Sequence, residues 1–228
     1  MTAVTGDAPE MEGSVAVLAV RDAVQAAVAF YPPTNFLAMD AWAVRPCNGP
    51  QCHDSENSPE SRLVGCAIQT CPEKVKAANP LTYITLADPP ILILHGGSDP
   101  LVPHNQGEQF YMALNKACKE AIFLSLPKAG HGNWNGFLTD DSLREAATMR
   151  STSGKDCSVV NPTPYQPTWR TVIEFLDRYR IEAGHPTNKA HRHTAAGRPR
   201  AARALPLQRA GVSRPTFLFP CATSPEGP

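Results

Sequence analysis

Three continuous apolar segments, each stopped by proline or glycine, constrain the fold of this chain most. They are Val24–Tyr31, Ile91–Leu94 and Ala121–Leu126. None of them alternates polar with apolar residues, as a strand with one solvent-exposed face would. Strands that are apolar on both faces are typical of a parallel sheet covered by helices on its two sides. We therefore predict an α/β fold.

Helical periodicity predicts two helices that accompany these strands. The first extends over Asn105–Cys118, and its apolar stripe consists of Phe110, Leu114, Ala117 and Cys118. The second extends from Thr168 to about Glu182, and its stripe consists of Trp169, Val172, Ile173, Leu176 and Tyr179. Thr168 is the expected N-cap and Gly184 the expected stop. Strand, helix, strand and helix in this order predict a doubly wound unit.

Two polar segments interrupt this pattern. Residues 41–82 are rich in cysteine and proline and are predicted to form an irregular excursion with one short helix near Pro72–Ala78. Residues 132–167 contain Asp140-Asp141 and three prolines, and we predict a long surface loop there.

The end of the chain differs from the rest in composition. The 228 residues carry a formal net charge of zero, which divides into −6 for residues 1–185 and +6 for residues 186–228. The second segment is rich in Ala, Arg and Pro and has no apolar periodicity, so we predict a folded domain over 1–185 and a disordered basic tail over 186–228. Basic residues without interleaved aromatics favour a solvated extension over a nucleic-acid-binding one, and no specific nucleic acid partner is expected.

Membrane insertion and export leave no sign in the sequence. No segment approaches the roughly 18 consecutive apolar residues of a membrane-spanning helix, so no membrane span is expected. Residues 1–12 are acidic where a signal peptide would be basic and then apolar, and no signal peptide is predicted. The localisation stays open.

Two polar residues follow the ends of neighbouring predicted strands. Asp99 comes just after Ile91–Leu94 on a turn that contains Gly96-Gly97, and His131 follows Ala121–Leu126 between two glycines. The carboxyl ends of parallel strands meet at the edge where open α/β sheets build their sites. A carboxylate that orients an imidazole, and an imidazole that moves a proton, are the acid and base of a serine or cysteine hydrolase. Each residue alone would more often be a cap or a turn residue, but the ordered pair favours catalysis.

These segments resemble the α/β-hydrolase superfamily. The similarity is greatest to feruloyl-esterase-like and acetyl-xylan-esterase-like enzymes and to the catalytic domains of the prolyl oligopeptidase family. It spans roughly residues 5–185 and is carried by Val24–Phe36, Ser58–Gly65, Ala78–Tyr83, His95–Pro103 and Ala129–Gly132. The resemblance implies that Asp99 is the triad acid and His131 the triad base, with no cofactor and no metal.

The nucleophile of this family is not found in the sequence. The family places it on a G-x-S-x-G elbow upstream of the acid, after an H-G-G-type oxyanion loop, and this chain contains neither upstream of the strand that leads to Asp99. Gly96-Gly-Ser98 is followed by Asp99-Pro100, so Ser98 adjoins the acid and is interpreted as a decoy. The resemblance therefore implies the C-terminal half of a hydrolase domain, a partial fold of C-terminal parallel strands with crossover helices.

The leading functional hypothesis is a hydrolase of carboxylic esters that uses a Ser-His-Asp triad whose serine lies outside this chain. The alternatives are a peptidase of the prolyl oligopeptidase family and a non-catalytic remnant that pairs with another chain through an exposed sheet edge. The expected substrate is a small ester or a short peptide. The chain alone is expected to be inactive, because an acid and base without a nucleophile cannot form an acyl-enzyme.

Four cysteines in the polar excursion leave several interpretations open. Cys47-x4-Cys52 and Cys66-x4-Cys71 could form a zinc site, although structural zinc more often uses C-x2-C pairs. A disulfide is favoured, either Cys66 with Cys71 or across the two pairs, and would suit an ancestor outside the cytosol. Free thiols are the remaining alternative.

Three further side chains have less specific predictions. His104 is expected to start the helix that follows it. Trp169 is expected in the core. Trp134 directly follows the His131 loop, and its role stays open.

Overall fold

The computed structural model describes residues 1–11, 23–47, 49, 52–132 and 134–180, without the side chains of residues 134 and 135. Its centre is a five-stranded sheet in the order β1-β2-β3-β4-β5. The strands are β1 Ala27–Phe30, β2 Ile91–Gly96, β3 Ala121–Leu126, β4 Thr148–Thr152 and β5 Val159–Pro164. β1, β2 and β3 are mutually parallel, whereas β4 and β5 continue the sheet in antiparallel pairing.

Six α-helices accompany the sheet in the described residues. They are α1 Pro59–Val64, α2 Pro72–Ala78, α3 His104–Lys116, α4 Trp134–Thr139, α5 Asp141–Arg144 and α6 Trp169–Tyr179. Short 3-10 helices occupy Thr2–Val4, Pro9–Met11, Phe36–Ala38, Asp40–Trp42, Ile68–Thr70 and Pro80–Tyr83. In the described part of the chain, no helix combines the length and apolarity needed to cross a membrane.

The core has two layers because successive strand residues point to opposite faces of the sheet. On one face, Ile91, Ile93 and Phe123 pack against α3. On the other, Leu92, Leu94, Leu124 and Leu126 pack against α4 and α6. The predicted α/β class, with helices on both faces of the sheet, is confirmed. Phe36, Ile68 and Val75 form a separate small cluster beneath the excursion.

Two predictions about the strands were wrong in part. β1 is shorter than the predicted Val24–Tyr31 and is half-buried, with Val24 exposed. Residues 132–167 are not a surface loop: they contain α4, α5 and the hairpin of β4 and β5. Every residue of β5 is exposed, so the hairpin lacks the apolar pattern that reveals a buried strand. Its prolines are tolerated because β5 lies at the edge of the described sheet, where not every backbone N–H needs a partner.

The helix predictions were closer to the structure. α2 has the predicted bounds, and α1 was missed although Ser58 caps it and Gly65 ends it in a left-handed conformation. α6 has the predicted N-cap at Thr168, but its buried residues are Val172 and Phe175. Ile173 and Leu176, which were assigned to the buried stripe, are exposed. Trp169 packs on the core as predicted. The expected stop at Gly184 and the tail over 186–228 lie outside the described residues, so the domain boundary stays a prediction.

Six cysteines are paired in three disulfides. Cys47–Cys52 and Cys66–Cys71 each close a five-residue separation, and Cys118–Cys157 joins the end of α3 to the β4–β5 connection. The alternatives of pairing across the two C-x4-C motifs and of free thiols were therefore wrong. Cys118, assigned to the apolar face of the helix, instead follows α3 and forms the third disulfide.

Candidate active site

The turn after β2 places Asp99 beside the loop that follows β3. The two loops approach closely because Gly96 and Gly97 have no side chains: a Cβ at Gly96 would lie 2.3 Å from the carbonyl oxygen of Ala129, and one at Gly97 would lie 2.7 Å from Cα of Pro127. The backbone N–H of Ser98 donates to the Ala129 carbonyl at 3.0 Å. The glycines that predicted a loose turn thus permit contact between the two strand-end loops.

Asp99 and His131 are in direct contact. Nδ1 of His131 donates to Oδ2 of Asp99 at 2.9 Å. Asp99 is fully buried, whereas about a quarter of the His131 side chain is exposed. The structure therefore brings together the two residues that the sequence singled out, with the imidazole at the surface and the carboxylate behind it.

The second oxygen of Asp99 is held by the backbone of its own loop. Oδ1 accepts the N–H groups of Leu101 at 2.9 Å and of Val102 at 2.8 Å. A carboxylate oxygen that accepts two well-aligned backbone hydrogen bonds is fixed in orientation. Oδ1 is committed to the loop, whereas Oδ2 faces two imidazoles, with Nδ1 of His131 at 2.9 Å and Nε2 of His95 at 3.7 Å.

Tyr31 forms the other side of the imidazole. Its ring lies 4.3 Å from the His131 ring between centroids and 5.9 Å from Phe137. Tyr31 has a φ of +38°, and its backbone N–H donates to the carbonyl oxygen of Leu94 in β2. Positive φ is uncommon for a residue with a side chain and is often found at functional sites. The sequence marked Tyr31 only as the end of a strand.

Three further histidines surround the acid. His95, the fifth residue of β2, is fully buried, and burial lowers its pKa to about 4. His104 begins α3 as predicted and contacts Ser125 Oγ through Nε2 at 2.8 Å, while burial lowers its pKa. His53 lies in the excursion, with Nδ1 3.0 Å from the Glu60 carboxylate, and this carboxylate raises the pKa of His53.

Ser98 is hydrogen-bonded to the neighbouring strand-end loop. Its hydroxyl donates to the carbonyl oxygen of Pro127 at 2.8 Å. Its interpretation as a decoy stays a prediction. The backbone of Trp134 begins α4, but its side chain lies outside the described part, so its role is not assigned.

The cysteine-rich excursion brings three potential metal ligands together. Atoms of Asp40, Cys47 and Cys52 lie within 4.8 Å of one another. The two sulfurs are bonded to each other, so they provide no thiolate to bind zinc. The Asp40 carboxylate accepts the backbone N–H groups of His53 and Asp54. These two hydrogen bonds fix the backbone that follows Cys52.

The helix-covered sheet, with an acid and an imidazole after successive strands, defines an α/β-hydrolase. The profile of the BD-FAE family matches residues 1–114, which is half of the chain and includes Asp99. The chain belongs to the BD-FAE family, and its relatives are hydrolases of the esterase and peptidase type.

The individual relatives are similar over short segments. Esterase LipC of Mycobacterium tuberculosis is 34% identical over 74 residues, which cover 32% of this chain and 18% of LipC. The peptidase YuxL of Bacillus subtilis is 41% identical over 59 residues, covering 26% of this chain and 9% of YuxL. The matched segments thus span less than a fifth of these curated relatives.

A solved structure matches a larger part of the chain. It is a bifunctional GH43-CE protein of Bacteroides eggerthii, with 25% identity and a TM-score of 0.51. The match covers 63% of this chain and 20% of that protein. The similarity supports the fold found here.

Proposed function

We propose that Asp99 and His131 are the acid and base of a Ser-His-Asp triad that hydrolyses carboxylic esters. The observation that supports this most is the 2.9 Å hydrogen bond from His131 Nδ1 to the buried Asp99 carboxylate. In such a pair the carboxylate holds the imidazole in one tautomer and stabilises it when it becomes charged.

The contacts of His131 determine which of its nitrogens would transfer the proton. Nδ1 is engaged by Asp99, so Nε2 is the nitrogen that accepts the proton of an attacking hydroxyl. The hydroxyl oxygen bonds to the ester carbonyl carbon, and the proton passes from Nε2 to the departing alkoxide. Water then repeats the sequence on the acyl-enzyme, releasing the acid and restoring the hydroxyl. Tyr31 forms one wall beside this imidazole.

The nucleophile is not assigned to any residue of this sequence. The chain contains no G-x-S-x-G, and Ser98 adjoins the acid. The triad hydroxyl would come from a further polypeptide segment, and the outer strand of the described parallel sheet, β1, is where we propose that such a segment pairs. General-base activation of water alone contributes about 10²–10⁴-fold. We therefore expect negligible ester hydrolysis by the chain alone.

The experiment compares this chain alone with the same chain supplied with a polypeptide segment that carries G-x-S-x-G. Hydrolysis of p-nitrophenyl acetate is measured for both. We expect turnover only when that segment is present, and a loss of about 10⁴-fold there for Asp99→Asn. His131→Ala should abolish the turnover, and Ser98→Ala should leave it unchanged.

Two outcomes would contradict the proposal. Robust hydrolysis by this chain alone, abolished by His131→Ala, would show that its nucleophile lies within the sequence. Full activity of the Asp99→Asn variant, in a protein that does hydrolyse the ester, would show that Asp99 is not the triad acid.

The relatives include both esterases and peptidases, so the choice of esters over peptides needs its own measurement. LipC is named an esterase, and YuxL is named a peptidase. The acid and base act in the same way on both substrates, so a peptide p-nitroanilide measured beside the ester decides between them. A rate on the peptide above that on the ester would favour the peptidase alternative.

A further inference from the structure

The acid loop, Asp99–Val102, is folded around one carboxylate oxygen. The N–H groups of Leu101 and Val102 both point at Oδ1 of Asp99. This loop conformation decides where Oδ2 lies, because the two oxygens belong to one rigid group. Any contact that holds this loop in place therefore also positions the hydrogen bond between Oδ2 and His131.

Two histidines from separate parts of the chain bind the carbonyl groups of the same two residues. Nε2 of His53 donates to the Leu101 carbonyl oxygen at 2.9 Å. Nε2 of His95 donates to the Val102 carbonyl oxygen at 2.9 Å. The two amides of the loop thus face the acid, and its two carbonyls face histidines.

The first of these contacts acts through a single peptide group. The Leu101 carbonyl and the Val102 N–H belong to one planar unit, in which the C=O and N–H bonds point in opposite directions. His53 binds one end of this unit and Oδ1 of Asp99 binds the other. A rotation of the peptide that broke one hydrogen bond would break the second as well.

The Glu60 carboxylate raises the pKa of His53, which favours a charged imidazole as the donor in this contact. Both of its ring nitrogens face oxygen atoms, the Leu101 carbonyl at Nε2 and the Glu60 carboxylate at Nδ1. A ring with an acceptor at each nitrogen is favoured in its doubly protonated form. A hydrogen bond from a charged donor is stronger than a neutral one, and it polarises the peptide that donates to Asp99.

His95 makes its contact as a neutral group. It is fully buried, and its Nδ1 has no hydrogen-bond partner among the described residues. Nε2 must carry the proton in order to donate to the Val102 carbonyl. The side chain is enclosed by α3, where Gly107 lies directly against Nδ1.

We propose that His53 and His95 are positioning residues that hold the acid loop so that Asp99 presents Oδ2 to His131. His53 would act on the carbonyl side of the loop, and His95 would act both there and through Nε2, which lies 3.7 Å from Oδ2 of Asp99. Neither would touch substrate. This inference rests on the proposed roles of Asp99 and His131, and it adds a determinant of their geometry that lies outside the triad.

The test uses the Nδ1–H proton of His131, observed by NMR in the full chain labelled with ¹⁵N-histidine. Its signal is assigned by its loss in His131→Gln, and its exchange with water reports how firmly Asp99 holds it. We expect about tenfold faster exchange in His53→Leu and in His95→Leu, the effect of losing one hydrogen bond. His53→Gln and His95→Gln place an amide donor where Nε2 stood, and should return exchange to within about threefold of the original chain.

His104→Leu is the matched control. His104 is also a partly buried histidine, 5.6 Å from His95 between ring centroids, but it binds Ser125 instead of the acid loop. Its removal should leave the exchange of the His131 proton unchanged. Thermal unfolding of each variant establishes that it folds. If His95→Leu does not fold, the comparison of His53→Leu with His53→Gln decides, because the His53 side chain is partly exposed.

Unchanged exchange in folded His53→Leu and His95→Leu would overturn the proposal. An equal increase in His104→Leu would overturn it too, since general loosening would then explain the effect. Absence of the proton signal in the original chain would contradict the Asp99–His131 pair itself and thus the proposed function. The measurement needs no turnover, so the two failures are distinguishable.

Discussion

Gly107 of α3 lies so close to His95 of β2 that a β-carbon at Gly107 would be 2.4 Å from the imidazole Nδ1. His95 and Ile93 point to the same face of the sheet, the one that α3 covers, since they are two residues apart in the strand. The helix can approach a buried imidazole here only where it has no side chain. Gly107 therefore sets the depth at which α3 packs above the acid loop.

Gly107→Ala is expected to destabilise the protein although alanine is the better helix former. Overpacking a core costs about 1–3 kcal/mol, against about 1 kcal/mol gained in helix propensity. The free energy of unfolding in urea measures the difference. Gly130→Ala is the control, because a Cβ there meets its nearest neighbours only at 3.9 Å. Equal stabilities of the two variants would contradict the close packing.

The stability of the fold should fall as the pH is lowered from about 6.5 towards 4. Burial lowers the pKa of His95 to about 4, so between its ordinary value and this one the unfolded chain binds a proton that the folded chain does not. A shift of this size corresponds to about 3 kcal/mol. Burial also lowers the pKa of His104, so His104 acts in the same direction. Glu60 raises the pKa of His53, so the contribution of His53 to stability is instead lost as the pH rises.

Urea unfolding of the original chain and of His95→Gln at pH 7 and pH 4.5 checks this. The variant should lose less stability between the two pH values, because glutamine does not titrate. An identical loss in both proteins would show that His95 is not the group responsible.

The extent to which the sequence predicted this structure depends on burial. β2 and β3 lie between two layers of helices, so they are apolar on both faces and carry an unmistakable pattern. β4 and β5 lie at the other side of the sheet, where β5 is wholly exposed, and they contain too few apolar residues to be distinguished from a loop. In α6, Ile173 and Leu176 have the right spacing for a core face but remain exposed.

The sequence predicted those site residues that directly follow a strand. Asp99 and His131 each follow a recognisable strand, and parallel strands bring their carboxyl ends together. His53, His95 and Tyr31 could not be assigned in this way. The two histidines bind backbone carbonyls, which leave no mark in a sequence. Tyr31 contacts His131 at a residue with an unusual backbone angle, which the sequence does not reveal.

Gln106 is expected to be important for stability because it fastens the segment after β1 to α3. Its fully buried side chain accepts the N–H groups of Thr34 at 2.9 Å and Asn35 at 2.7 Å, and donates to the Asn35 carbonyl at 2.9 Å. Gln106→Leu leaves these backbone groups without partners, which should cost about 3 kcal/mol or more.

The control for this variant lies one turn further along the same helix. Oε1 of Gln109 is buried and has no hydrogen-bond partner among the described residues. Gln109→Leu should therefore be neutral or stabilising. Urea unfolding measures the free energy of unfolding of both variants. A similar loss of stability in each would mean that the hydrogen bonds of Gln106 contribute little.

The three disulfides should differ in their contribution to stability. Cys118–Cys157 closes a separation of 39 residues, whereas Cys66–Cys71 closes one of 5. A cross-link restricts the unfolded chain more when its loop is longer, which corresponds to about 4 kcal/mol for the first bond and about 2 kcal/mol for the second. The double variants Cys118→Ala/Cys157→Ala and Cys66→Ala/Cys71→Ala are compared by urea unfolding without reductant. A larger loss from the short loop would mean that native-state contacts around Cys66 and Cys71 outweigh the restriction of the unfolded chain.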